Sequence, residues 1–266
     1  MIRDITLGQY YAVASPIHRL DPRTKLAGTL IYLVGLFLTK NFPGFLAAVV
    51  FFALVVFLSR VPFSYIVKGL RPVFLLLFFT VFFNIFFTRG RTLVSWHFIR
   101  ITYEGIYRAV FMAVRLVLLI LGTSLMTYTT TPNQLTDGLE RALRPLKLVH
   151  FPVHDLAMMM SIALRFIPIL LEETDKIMKA QQARGADFES GNIFRRARAL
   201  VPIFIPLIVS AFRRAFELAM AMEARCYRGD NGRTKLHPLH YGAGDAFAYL
   251  VMAAFLAAVI LLRIFV

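Results

Sequence analysis

The sequence predicts an all-α integral membrane protein with about five transmembrane helices, four amino-terminal and one carboxy-terminal. Three observations carry this prediction. Hydrophobic residues fill 58% of the 266 positions and charged residues 17%, against about 45–50% and about 25% in soluble domains. Long apolar runs such as FLLLFFTVFFNIFF recur through the first half. A charge-rich, amphipathic stretch then separates them from one last apolar run.

A helix needs about 20 residues to span, range roughly 17–25. Four apolar segments occupy the first half, at 26–38, 43–59, 72–88 and 109–128, and a fifth lies at 246–262. The first is short unless the turn from Pro22 joins it. Between residues 129 and 245 three further helices are expected, none holding an uninterrupted apolar run long enough to cross. The first covers about 132–143, with Thr131 as cap and proline at the first helical position. The second covers about 153–183. Its Glu172–Lys176 and Asp175–Lys179 pairs, acid before base and four apart, support an exposed face, and Gly185 follows where a left-handed cap suits glycine. The third covers about 193–228, ended by Gly229 and Gly232. It contains VPIFIPLIVSAF, broken by Pro202 and Pro206 and flanked by Arg195, Arg196, Arg198, Arg213 and Arg214. This patch reads as a helix in or under the headgroup layer, with a sixth span as the competing reading. The domain plan is a four-span membrane domain at 1–128, an amphipathic domain at 129–245 and a final transmembrane helix at 246–266.

The 30 basic and 15 acidic residues leave a net charge of +15. Acids and apolar runs interrupt the basic residues, so no stripe for nucleic acid forms; cytoplasmic loops and anionic headgroups account for them better. With the amino terminus in the cytoplasm, the tail and second loop carry Arg3, Arg19, Arg23, Lys25, Arg60, Lys68 and Arg71. The outer loops carry Lys40, Arg89, Arg91 and Arg100. No apolar leader with a cleavage site is read at MIRDITLGQYY.

Catalytic patterns are missing. No GxxxxGK[ST], HExxH, HxxEH or GxSxG occurs, so nucleotide hydrolysis by a P-loop is not expected. The single cysteine, Cys226, makes no intrachain disulfide framework. His150 and His154 are four apart, but Pro152 breaks the helix between them, and HPLH around His237 is no stronger; no metal or cofactor is expected. No paired carboxylates lie inside a span. Arg115 is the one charge well inside a predicted span, which makes it either a functional group or an arginine bonding backbone carbonyls within the bundle. Asn84 reads as an interhelical hydrogen-bonding group.

Two stretches stand apart, KAQQARGADF (179–188) and AMEARCYRGD (221–230). They contain Ala183-Arg184-Gly185 and Ala224-Arg225-Cys226, each at the end of an expected helix. A cation in the last turn complements the helix dipole by about 0.3–1 kcal/mol and needs no partner. Two matched ends ask for more. With small residues on either side the guanidinium stands clear, able to enter a cleft on another protein and fork onto carboxylates or carbonyls. Glu223 is near enough in sequence to pair with Arg225, and nothing similar flanks Arg184.

With these motifs the chain resembles the T component, the transmembrane coupling subunit, of energy-coupling factor transporters. The same resemblance is carried by IHRLDPRTK (17–25), ALRFIPILLEETDKIMKAQQARG (163–185), YRGDNGRTK (227–235) and TTTPNQLTDGLE (129–140). It covers essentially the whole chain, most like the shared vitamin-type module, and departs from it in having cysteine at 226 where the simplest motif has glycine. The resemblance implies a non-catalytic subunit in the cell membrane, with the amino terminus and the 129–245 coupling domain in the cytoplasm. Arg184 and Arg225 would dock into two ATP-binding-cassette ATPases, alike or different. A separate substrate-binding membrane subunit would take up a vitamin or similar micronutrient. The patch at 201–212, with Pro202, Ile203, Phe204, Ile205, Pro206 and Leu207 at its centre, suits a surface for that subunit. The alternative is a self-sufficient secondary transporter with an intramembrane site near Arg115 and Asn84.

Overall fold

A computed structural model describes residues 9–88, 90–96, 99–186, 188, 192–229 and 238–265. Arg3, Arg89, His237 and most of YRGDNGRTK lie outside the described residues. The chain divides into two compact units, one of Gly8–Leu139 with Leu239–Val266, the other of Glu140–Pro238.

In the larger unit, α1 (Pro22–Leu38) starts four residues before the apolar run, because the Asp21 carboxylate accepts the backbone N–H of Arg23 and Pro22 fills the first turn. The turn from Pro22 does join the first segment. After α2 (Phe42–Ser59), α3 (Phe63–Lys68) and a 3-10 turn lead into α4 (Phe74–Phe87). An antiparallel hairpin follows, β1 (Thr92–Trp96) paired with β2 (Ile99–Thr102) through Ser95 with Arg100 and Trp96 with Ile99. This hairpin is a small departure from the all-α expectation. Helix α5 (Tyr103–Thr129) begins where Thr102 accepts the N–H of Gly105, six residues before its apolar run. The start of α6 (Pro132–Ala142) is the expected one: Thr131 and Gln134 exchange side-chain and backbone bonds, 3.3 and 3.2 Å, in a complete capping box. The last helix, α9 (Ala243–Phe265), returns to this unit.

Its core forms where α1, α2, α5 and α9 meet. Tyr32 sits at the centre, 4% exposed, among Phe51, Phe52 and Phe255, and its hydroxyl donates to the Leu118 carbonyl at 3.3 Å. Close approach depends on Gly35, where an added Cβ would lie 2.7 Å from the Phe255 ring. Small residues that let backbones approach are how helices associate where lipid removes the hydrophobic drive.

The smaller unit is built on α7 (Val153–Ala183) and α8 (Ile193–Ala224). The expectation that nothing in 129–245 is long and apolar enough to cross is corrected here. Six helical segments meet that standard among the described residues: Phe42–Ser59, Phe63–Phe87, Tyr103–Thr129, Val153–Ala183, Ala199–Ala224 and Ala243–Phe265. Helices α7 and α8 qualify because a stretch of 18 residues in each stays apolar on average despite up to two charged residues, so an uninterrupted apolar run is not needed. At 17 residues α1 falls just short, although its length still lies at the lower edge of the spanning range.

Candidate functional site

The two arginines occupy the same backbone position. Arg184 is the C-cap of α7 and Arg225 the C-cap of α8. After Arg184, the N–H of Gly185 bonds the Gln182 carbonyl at 2.9 Å and the N–H of Ala186 bonds that of Gln181 at 3.0 Å. After Arg225, Cys226 bonds Glu223 at 2.9 Å and Tyr227 bonds Met222 at 3.0 Å. Both ends are therefore Schellman motifs, which satisfy the last carbonyls with the chain's own amides. These carbonyls need no arginine. Both side chains are exposed, and among the described residues neither makes a hydrogen bond or ion pair. Glu223 does not pair with Arg225.

The motif also accounts for the residue that follows each arginine. A Schellman turn needs a left-handed residue, and Gly185 supplies φ 87° while Cys226 adopts φ 55°. Glycine takes this conformation freely, whereas an L side chain pays about 1–2 kcal/mol, offset by the roughly 0.5–1 kcal/mol that glycine's looser unfolded chain costs. Cys226→Gly is accordingly expected to tighten the α8 end by about 0.5–1 kcal/mol, slowing amide exchange at Tyr227 about two- to fivefold. Unchanged or faster exchange there would show that the Cys226 turn is unstrained.

Behind the tips, Glu173 of α7 holds α8. Its carboxylate accepts the Ser210 hydroxyl at 2.5 Å and the Arg214 guanidinium at 3.0 Å. Those bonds keep the Glu173 side chain committed to α8. Arg184 follows Glu173 by eleven residues and Arg225 follows Arg214 by the same eleven, about 16 Å of helix in each case. Each arginine thus ends an arm of equal length measured from one polar contact.

The patch on α8 is only partly a surface. Pro202, Phe204, Ile205 and Pro206 are exposed, with Phe204 at 61% and Ile205 at 59%, and Leu207 is half-buried. Ile203 turns inward, 5% exposed. A helix has two faces, so a contiguous run of six residues cannot all face one partner. Ala183 and Ala224 close the last helical turn beside each arginine.

Arg115 and Asn84 do not form a site. The Arg115 guanidinium donates to the carbonyl of Thr39, the C-cap of α1, at 2.7 Å and lies 5.6 Å from the Phe45 ring centre. Of the two readings of Arg115, the carbonyl-bonding one describes the structure. Asn84 was expected to bridge helices, but its amide donates to Thr80 in its own helix at 2.8 Å. An amide one turn from a backbone carbonyl finds that acceptor first.

Sequence reasoning matched IHRLDPRTK by resemblance alone, and the structure gives those residues a physical role. Asp245 accepts the N–H of Asp21 at 2.9 Å and, as the return half of a capping box, the N–H of Gly242 at 2.8 Å. Asp21 holds Arg23, which lies over the Tyr241 ring at 4.0 Å. Lys25, 6% exposed, donates to the carbonyls of His18 at 3.1 Å and Thr129 at 2.9 Å. The His18 ring donates from Nε2 to the Tyr11 carbonyl and accepts the Ser15 hydroxyl at Nδ1. Burial first and the Lys25 charge second pull its pKa below the ordinary value, which favours the neutral ring. One cluster thereby gathers the start of α1, the end of α5 and the start of α9. The Asp-Pro step at 21–22 is the cue that would have placed the start of α1.

Fold and site together define a multi-pass helical membrane protein carrying a pair of arginine-tipped helices. Residues 13–236 match the family described as cobalt transport protein, CbiQ. The chain is 53% identical to the energy-coupling factor transporter transmembrane protein EcfT of Clostridium kluyveri, over 99% of this chain and 98% of that protein. It is 52% identical to the protein of that name from Acidaminococcus fermentans, over 99% and 98%. To that of Bacillus subtilis it is 46% identical, over 96% and 98%. The chain belongs to this family, the transmembrane coupling components of energy-coupling factor transporters. With that membership, and with Arg115 and Asn84 bonded at separate places, the self-sufficient carrier falls away.

Proposed function

We propose that Arg184 and Arg225 are the docking points of this coupling component for two cytoplasmic ATP-binding-cassette ATPases, with Ala183, Gly185, Ala224 and Cys226 shaping each tip. The observation that carries this reading is the pair of identical C-caps, each with an exposed arginine that its own helix does not use. A guanidinium is suited to such a role because its rigid fork meets carboxylates and carbonyls with two bonds. ATP hydrolysis then resides in the partners, and this chain contributes the two arms that move with them.

The membrane arrangement proposed is five spans, α1, α2, α3 with α4, α5 and α9, with 129–245 as the coupling domain in the cytoplasm beside the amino terminus. Helix α5 ends and α9 begins in the same cluster around Lys25 and Asp245, as an even number of crossings between them, including none, requires. The arginines bracketing 201–212 support a cytoplasmic excursion. The exposed side of α8, with Pro202, Phe204, Ile205 and Pro206 and the half-buried Leu207, would carry the substrate-binding subunit; Ile203 is left out of that surface. The cargo is a vitamin or similar micronutrient held by that subunit.

Cys226, exposed and the only cysteine in the chain, offers a direct test. A maleimide carrying a photoreactive group, placed on Cys226 in the assembled transporter, is expected to capture an ATPase subunit. Capture of the substrate-binding subunit in its place, or of no subunit, would overturn docking at the α8 tip.

A further inference from the structure

The larger unit encloses a cavity of about 300 Å³ between α1, α2, α5 and α9. Its walls are almost wholly apolar, with Tyr32, Phe52, Val55 and Met252 among them, and one charged group, Lys25, reaches into the lining. Leu54 and Phe247 stand on its border 47% and 68% exposed, so the space opens laterally on the surface that faces the bilayer. It runs from Lys25, at the end of the bundle where α1 starts, to Tyr32 seven residues further along α1, about 10 Å.

Length and lining decide what can enter. The space follows about 10 Å of α1, and its walls along that length are almost wholly apolar. That suits a segment of one hydrocarbon chain. Charge decides what its polar end is. The Lys25 ammonium uses two of its three N–H groups on the His18 and Thr129 carbonyls, and the third has no acceptor among the described residues. The carboxylates nearest in sequence and space, Asp21 and Asp245, are already engaged with Arg23 and with backbone amides. Arg19, exposed, lies beside the lining residue Leu20. A buried ammonium with a spare donor calls for an anion.

We propose that this cavity is a binding site for one anionic phospholipid, an acyl chain lying between α1, α2 and α9 and the phosphate accepting the free N–H of Lys25. The lipid fills a large void in a unit whose core depends on close helix approach. It ties the clamp at the start of α1 and α9 to the leaflet around it.

The test uses the full chain in nanodiscs that contain phosphatidylglycerol with a photoreactive acyl chain, or phosphatidylcholine bearing the same chain. Adducts are expected on the peptides holding Phe52, Val55 and Met252, favouring phosphatidylglycerol about fivefold, the value of one basic group near an anionic headgroup. Val55→Trp fills the cavity without touching Lys25 and should lower those adducts to background. Labelling of α4, which has no buried residue, should stay unchanged and so reports a folded, lipid-embedded chain. Leu58→Trp serves the same purpose if Val55→Trp does not fold. Cavity adducts that persist in the filled variant, or that are indifferent to headgroup charge, overturn the proposal.

Discussion

Reversing both tips, Arg184→Glu with Arg225→Glu, is expected to abolish uptake and capture of the ATPases while the membrane fold survives. The fold survives because the Schellman bonds at both ends run between backbone groups, which the substitution leaves alone. What the chain itself loses is the favourable term of a cation near a helix end, about 0.3–1 kcal/mol per site. What the complex loses is larger. Removing one partner of a desolvated, hydrogen-bonded charge pair costs about 2–5 kcal/mol, a factor of roughly 30 to several thousand in affinity. A glutamate also presents like charge to whatever acids the arginine met. The single variants should each weaken capture, and the double variant should leave none detectable by pull-down with the purified ATPases. Size-exclusion behaviour and helical content should match the parent chain. Capture of both ATPases by the double variant at the parental level would remove the arginines from the docking account.

Asp245→Ala is expected to destabilise the larger unit by about 1–3 kcal/mol, measured by thermal or denaturant unfolding in detergent. Asp245 is 4% exposed and accepts two backbone amides, those of Asp21 and Gly242. The Asp21 amide, left buried and unpaired, costs about 1–3 kcal/mol, whereas the Gly242 amide belongs to an exposed residue and can turn to water. Asp245→Asn keeps one oxygen acceptor and should cost about half as much. Equal and small effects of the two substitutions would show that the α1–α9 junction does not rest on this carboxylate. The loss should also loosen α9, since the bond from Gly242 to Asp245 that closes its first turn disappears with the side chain.

Helix α7 was legible to the residue, from Val153 to Ala183, because long periodicity, acid–base spacing and a glycine just past the end all agree. The start of α6 was legible for the same kind of reason, a threonine cap before proline at the first helical position; the return bond from Gln134 was seen only in the structure. Less legible was α1, whose first turn is polar and whose cap, Asp21, lies outside the apolar run. The continuity of α8 through Pro202 and Pro206 was expected; what the sequence reading understated was the apolar length of that helix, which reaches the spanning range despite its charges. The arginine tips were visible as a repeated local pattern. Their equal distance from Glu173 and Arg214 was not, because that contact joins residues 41 apart in the chain.

By itself the sequence determined the class of this protein, its succession of helices and the family it belongs to. Those properties are local or additive: apolar runs, helix caps and short motifs keep their meaning wherever the chain goes. Tertiary structure alone decided which polar groups are free. Arg115 and Asn84, isolated charge and amide in apolar runs, turned out to be bound to backbone carbonyls, whereas Arg184 and Arg225, ordinary in composition, turned out to be unused. It also decided that Asp21, Lys25 and Asp245 meet at one junction and that Lys25 borders a void. A buried polar group is defined by its partners, and partners more than two hundred residues apart, such as Asp21 and Asp245, are brought together only by folding.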